Sequence, residues 1–308
     1  MLSELRLPVP PLPEQRRIVA KIDSLTHKSK RARDHLDHIP RLVEKYKQAV
    51  LSAAFRGDLT PIKRNTVSTE NAWKVAELST IADIGTGATP KRGTEKYYHE
   101  GTIPWVTSGC VNDPIVNNAE EYITPTAIQE TNCEIYPVGT LLVAMYGEGK
   151  TRGKVSRLGI AAATNQALAA IMVHPGGPAE PNFVLWYLRS KYLELREQAA
   201  GGVQPNLNLG ILKRQALPLP PKSEQEQIVR RIESAFTWID RLAADATSAR
   251  KLIDHLDQSI LAKAFRGELV PQNSSDEPAS SLLEHILIER ATHKPAKKAL
   301  AHELKDVT

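Results

Sequence analysis

The chain has 308 residues but only two cysteines, Cys110 and Cys133, which form neither a disulfide framework nor a metal-site spacing and are expected as buried or half-buried free thiols. No apolar run reaches membrane-spanning length, and the amino terminus lacks a charged-then-apolar signal, so a cytoplasmic protein that avoids the membrane is expected. No Ser, His and Asp stand at a recognisable triad spacing. A strong charge of one sign is also missing, since 40 Lys and Arg against 35 Asp and Glu leave +5. Composition therefore allows one or two soluble domains with a sizeable core.

What the chain does have is a repeat. Residues 7–61 align with residues 217–271 at one constant offset and without a gap. LPVPP becomes LPLPP; Glu14, Gln15, Ile18, Val19 and Ile22 return as Glu224, Gln225, Ile228, Val229 and Ile232; AAFRGDLTP returns as KAFRGELVP. Each copy predicts one long helix. A proline run precedes it, and an acid follows where the helix dipole favours negative charge. Gly57 and Gly267 stand as carboxyl-terminal caps, with Pro61 and Pro271 just beyond.

Between those ends apolar residues step by four and three. The first seam runs through Ile18, Ile22, Leu25, Leu36, Ile39 and Val43, and the second through Ile228, Ile232, Ile239, Leu242, Ile253 and Leu256. A 3.5-residue period held over about five heptads predicts a coiled coil. An ordinary amphipathic helix on a domain is the alternative. Each helix would be roughly 65 Å long, about two turns of B-DNA. Pro40 should kink the first.

The expected division is a first long helix (1–61), a linker (62–72), a mixed α/β domain (73–221), a second long helix (222–271) and a tail (272–308) carrying a short amphipathic helix at 281–291. Strands are expected at 102–107, 139–146 and 166–174, and a helix at 183–198. If the ends of the middle domain lie close together, the helices run antiparallel and bury each other's seams. The fold class is then α+β, one globular domain carried on two long antiparallel coiled-coil helices.

Charge is unevenly spread. Residues 14–58 carry 11 Lys and Arg against 6 Asp and Glu, whereas residues 224–268 carry 7 against 8. The middle domain balances at 13 each, yet its basic residues gather at Lys91, Arg92 and Lys96 and at Lys150, Arg152, Lys154 and Arg157. Such clusters suit a phosphate-facing surface, although a charge run can equally be a solvated face.

Several motifs fail on their surroundings. AMYGEGKT at 144–151 fits a loose phosphate-binding loop, but the RGKVSRLG that follows has no helical period to aim N–H groups at phosphate. Asp113 with Glu148 and Lys150 mimics a metal-dependent nuclease triplet that is short enough to arise by chance. His35 and His38 could hold zinc, but they fall on the wet face of the helix.

The repeated LPxPPxxEQxxIVxxI, the FRGxLxP at each helix end and the single domain between them resemble the specificity subunits of type I restriction-modification systems. The middle domain is similar to that family's target recognition domains in its entry Trp73-Lys74-Val75 with Leu78, and in IGTGATPKRG, TIPWVTSG, PVGTLLVAMYGEGKTRGKV, ATNQAL and GGVQPNLNLGILKRQALPLP. DEPASSLLEHI in the tail is familiar from the same family, and the likeness covers residues 1–291. The resemblance implies a DNA-reading protein without catalysis of its own. It would hold methyltransferase (M) subunits through its helices and recruit the restriction (R) subunit. It would bind no cofactor, S-adenosylmethionine serving the methyltransferase and ATP with Mg the restriction subunit. A full-length member has two recognition domains, so this chain is expected to be a half subunit that pairs with itself or with a separate amino-terminal half.

On that resemblance Lys91, Arg92, Lys96, Lys150, Arg152 and Lys154 are candidates for phosphate or guanine contacts. Tyr97, Tyr98, Tyr146, Asn165, Gln166, Gln204 and Asn206 are candidates for base edges, because phenols and amides both donate and accept there. Core packing for the tyrosines and a loop cap for Asn165 and Gln166 are the plainer alternatives. A scaffold or antagonist that binds the methyltransferase without reading DNA is the alternative function.

Overall fold

A computed structural model of the chain describes residues 9–60, 73–147, 151–200 and 206–292. In chain order it holds α1 (Leu12–Asp37), α2 (Ile39–Arg56), β1 (Lys74–Glu77), α3 (Leu78–Ile81), β2 (Ala82–Thr86), β3 (Ile103–Val106), β4 (Ile115–Val116), β5 (Glu121–Ile123), α4 (Pro125–Glu130) and β6 (Ile135–Tyr136). There follow β7 (Leu141–Ala144), β8 (Val155–Leu158), β9 (Ala162–Thr164), β10 (Leu168–Val173), α5 (Pro181–Ser190), α6 (Tyr192–Ala200), α7 (Leu209–Lys213), β11 (Ala216–Leu219), α8 (Lys222–Phe265) and α9 (Ala279–Thr292). Two compact units result, one of residues 44–240 and one of residues 1–43 with 241–308.

The larger unit is layered on a five-stranded sheet in the order β2-β10-β7-β8-β4. Its central strands read as unbroken apolar runs because both faces are covered. Leu141 and Val143 of β7, with Ala169 and Ile171 of β10, face a core shared with Phe183, Val184 and Leu188 of α5. Their neighbours Leu142, Ala144, Leu168 and Ala170 face the opposite way, against Val106, Tyr136 and Ala162 of the second sheet. That sheet is four-stranded, in the order β5-β3-β9-β6, and its outer face buries Trp105, Ile123 and Ala163 under Ala127 of α4. The period-two alternation of side chains thus carries one strand pair into two cores. A two-stranded ribbon of β1 and β11 joins entry to exit, with Val75 opposite Pro218.

The same unit takes in the end of α2 and the start of α8. Leu51 and Ala54 of the one and Ile228, Val229 and Ile232 of the other are buried in the α5 core. Phe55 meets Phe183 and Tyr187 edge-on, with both pairs of ring centroids 5.3 Å apart. Lys47 reaches Asp240 at 2.6 Å, which sets the two helices antiparallel here.

In the smaller unit α1 and the second half of α8 are paired antiparallel. Arg33 bonds to Asp254 at 3.1 Å and also to Asp257, and Arg250 reaches Asp37. Arg17 holds Asp276, beyond the end of α8, at 2.6 Å.

The repeat is visible in both helix ends. Gly57 at φ 85° and Gly267 at φ 73° occupy the left-handed cap position. Asp58 N–H bonds to Ala53 O and Glu268 N–H to Lys263 O, each at 2.9 Å, the six-to-one bond of a Schellman cap. At the starts, Gln15 and Gln225 both donate Nε2 to the carbonyls of Pro10 and Pro220 at 2.8 Å.

The first long helix breaks at His38, two residues before Pro40, into α1 and α2. The second, with no Gly or Pro between its ends, continues for 44 residues. The helix expected at 183–198 is split at Lys191 into α5 and α6. The expected strands at 102–107, 139–146 and 166–174 are present in shortened form as β3, β7 and β10. The tail helix is present as α9, with no buried residue. The linker at 62–72 lies outside the described residues.

Of the proposed seam, Ile228 and Ile232 are fully buried, and Ile239 is nearly so. Ile18, Ile22, Leu25, Leu36, Ile39, Val43 and Ile253 are half-buried. Leu242 and Leu256 do not fit the expectation, being 44% and 52% exposed. On the same step of four and three, Ala246 and Ala249 are half-buried and Ile260 is buried, as the seam expects. Among the described residues no helix is long and apolar enough to cross a membrane.

Candidate nucleic-acid interface

Four loops meet at one end of the two packed sheets. Thr86, at the end of β2, donates its hydroxyl to Leu168 O at 2.8 Å. Met145 N–H, just after β7, bonds to Ala167 O at 2.8 Å, and Leu207 N–H bonds to Met145 O at 3.2 Å. Asn165 N–H bonds to Val106 O at 3.0 Å, which ties the 165–167 loop to the end of β3. Gly87 packs directly on this loop. A Cβ there would stand 1.7 Å from Thr164 O, so only glycine allows the approach.

These bonds bring together the loops that carry several of the proposed base-reading residues. Tyr146 is 39% exposed beside the 165–167 loop. Gln166 is exposed and accepts the Thr89 hydroxyl on Oε1 at 2.5 Å, which leaves its amide N–H groups as donors. Asn206, half-buried, precedes the Leu207 bond to Met145. Asn165 has a structural task, since its Oδ1 accepts Ala167 N–H at 3.1 Å and closes the loop. Gln204 lies outside the described residues.

The segment after Gly87 is pinned from below. Ala88 O accepts Trp105 Nε1–H at 3.1 Å and the Cys133 thiol at 3.2 Å, and Pro90 O accepts the Tyr98 hydroxyl at 2.6 Å. Arg92 lies over the rings of Trp105 and Tyr98, 4.9 and 5.1 Å from their centroids, while its two Nη groups grip Glu121 at 2.5 and 3.0 Å. That grip raises the Arg92 pKa and lowers the Glu121 pKa. Lys96 is bonded to Glu130 at 2.5 Å, and Tyr97 donates its hydroxyl to the same oxygen at 3.0 Å. The bond to Glu130 raises both the Lys96 and the Tyr97 pKa, while burial raises that of Tyr98. Lys91 is exposed, with no ion pair among the described residues. The first basic cluster is therefore two cations held by carboxylates and one open to solvent.

The second cluster sits on the β7–β8 turn. Gly153 N–H closes the turn on Ala144 O at 2.9 Å, with Gly153 at φ 81°. Lys154 donates to Asn112 Oδ1 at 2.7 Å, and Arg157 to Asn182 Oδ1 at 2.6 Å. Arg152 buries its Nε without an acceptor among the described residues. Arg189, stacked 4.9 Å over Trp186, bonds to Val155 O and Pro114 O, each at 3.2 Å. Burial, then the nearby Arg157 charge, lowers its pKa to about 10. Lys154 and Arg189 line a cavity of about 710 Å³ together with Lys47 and Asp240. Lys150 lies outside the described residues.

Sequence reasoning missed Arg189, and it missed Trp105, Glu121 and Glu130, whose partners stand tens of residues away. Thr151 to Lys154 form a turn leading into β8, so the helix that a phosphate-binding loop needs does not begin there. Among the described residues no group of three or more His, Cys, Asp or Glu could hold a metal ion. Cys110 and Cys133 are free thiols, half-buried and buried.

Residues 70–244 match the family model described as the type I restriction modification DNA specificity domain, which is more than half of the chain. The specificity subunit of the type I restriction enzyme StySPI from Salmonella potsdam is 29% identical over 93% of this chain and 64% of its own length. That of EcoKI from Escherichia coli K12 is 26% identical over 93% and 64%. The chain thus spans about 64% of the length of these curated relatives. Among solved structures, the HsdS subunit of Thermoanaerobacter tengcongensis superposes with a TM-score of 0.59 at 23% identity, covering 85% of this chain and 61% of that one. A chain from a type I R-M system solved for its complex assembly reaches 0.65 at 24% identity, covering 85% and 62%. With its repeated helices, its layered middle domain and this match, the chain belongs to the type I restriction modification DNA specificity domain family.

Proposed function

We propose that this chain is a specificity subunit that reads one half of an interrupted DNA site and has no catalysis or cofactor of its own. The observation that carries the reading is the gathering of Tyr146, Gln166 and Asn206 on loops braced at one end of two packed sheets. A phenol and two amides on a rigid platform suit base edges, where each good contact contributes about 1 to 3 kcal/mol of discrimination. Lys91, Arg92 and the β7–β8 turn would supply backbone contacts that set register. The long helices would dock the methyltransferase subunits, and through them the restriction subunit. A stiff helix pair fixes the distance between two readers, so two short half-sites would be separated by unread bases. The second reader would be a second copy or a separate recognition domain.

The test is binding of the chain with its methyltransferase to duplexes of random sequence. Enrichment of one short motif is expected. Binding without sequence preference would favour a scaffold or antagonist.

A further inference from the structure

One cavity of the larger unit is lined by polar groups that the fold leaves unmatched. It measures about 710 Å³ and is walled by α2, α5, α8 and the turn before β8, all within residues 44–240. That volume falls among the roughly 300 to 1,000 Å³ of small-molecule sites. Trp186 lines it at 9% exposure, yet the buried Nε1–H has no acceptor among the described residues. Buried indole N–H groups ordinarily find a partner. The ring is nevertheless well held, since Phe236 meets it edge-on with centroids 4.8 Å apart and the Arg189 guanidinium stacks over it at 4.9 Å. Packing alone fixes the orphan donor.

Arg189 is the second unmatched group. It bonds to the Val155 and Pro114 carbonyls and forms no ion pair among the described residues. Its charged neighbour Arg157 is bonded to the Asn182 amide oxygen, again with no carboxylate among the described residues. Burial and the Arg157 charge together disfavour the Arg189 cation, so its charge stands uncompensated. A single carboxylate could neutralise Arg189 and accept the Trp186 N–H.

The remaining lining decides between kinds of anion. Leu51, Val155 and Phe236 add apolar surface that a bare inorganic ion would leave uncovered. Glu44, Asp113 and Glu233 also line the cavity, all exposed and without an ion pair among the described residues. Three free carboxylates repel a polyanion such as the DNA backbone.

We propose that this cavity binds a small carboxylic acid with an apolar body, its carboxylate taken by Arg189 and the Trp186 N–H and its body laid against Leu51 and Phe236. Such a ligand touches α5 of the recognition domain and both long helices at once. It goes beyond the DNA reading and does not depend on it.

Nuclear magnetic resonance of the full chain with isotope-labelled tryptophan tests this. Four tryptophans give four indole signals, and Trp186→Phe identifies the one in question. Benzoate and hexanoate are titrated in turn, with benzamide, inorganic phosphate, a DNA duplex and the methyltransferase as separate arms. The proposal expects a saturable shift of the Trp186 signal with at least one of the two acids, and binding about tenfold or more weaker for benzamide and for phosphate. Arg189→Gln should weaken the acid about tenfold. Trp186→Phe keeps the ring and removes only the N–H, so calorimetry on it should show a similar loss even if Arg189→Gln fails to fold. No shift with either acid overturns the site. Phosphate that binds as tightly as the acids overturns the need for an apolar body. A duplex or methyltransferase that shifts the same signal and excludes the acid overturns the small ligand in favour of that macromolecule.

Discussion

Thr60 donates its hydroxyl to Glu224 at 2.7 Å across 164 residues of sequence, and both residues are buried. This bond ties the cap of α2 to the start of α8. Copy two carries Val270 where copy one has Thr60. Thr60→Val should therefore remove a charge-assisted bond while keeping the shape, costing about 1.5 to 3 kcal/mol. Urea unfolding checks it, and an unchanged midpoint would show that the bond adds nothing.

Gly87→Ala should cost about 3 kcal/mol or more, since a methyl group cannot share space with Thr164 O and the backbone must yield. The melting temperature should fall, and the 165–167 loop should exchange amide protons faster. A folded variant with wild-type stability would mean that this loop packing is looser than drawn.

Tyr136 and Tyr187 are both pushed by burial up to about 12 from the ordinary 10.0. An unfolded chain gives up these phenolic protons near pH 10, while the folded chain keeps them to about 12. Their contribution to stability is thus complete below pH 10 and is lost as pH rises from about 10 to 12. Alkaline titration followed by tyrosinate absorbance should show two late phenols appearing with unfolding. Full ionisation of every tyrosine in the folded state near pH 10 would contradict this.

Arg92 cannot grip Glu121 and a phosphate equally well. Glu121→Gln should free the guanidinium, strengthen DNA binding in all sequences alike and steepen the salt dependence by about one unit. Arg92→Ala should shift both in the opposite direction. Equal salt slopes in the two variants would assign Arg92 to holding the loop alone.

The parts legible in sequence were those governed by local chemistry. The Phe-Arg-Gly caps, the proline-led helix starts and the break near Pro40 each depend on residues within one or two turns of each other. The pairing of β1 with β11 and of β3 with β9 depends on contacts far apart in sequence, and strands of three or four residues carry too little period to announce it. The heptad step places Leu242, Leu256 and Ile260 inward, yet of the three only Ile260 is buried. An apolar step of three and four marks a stripe and not its partner. The basic clusters were visible as charge, but Glu121 and Glu130, which hold Arg92 and Lys96, lie 29 and 34 residues away.

The central claim is that the braced loop end reads bases. Its most direct test is selection from random-sequence duplexes by the chain with its methyltransferase, run beside a variant carrying Tyr146→Ala, Gln166→Ala and Asn206→Ala. The account predicts that the natural chain enriches a short fixed motif and that the variant loses it while keeping the same salt slope and non-specific affinity. An identical motif from both proteins would contradict the account.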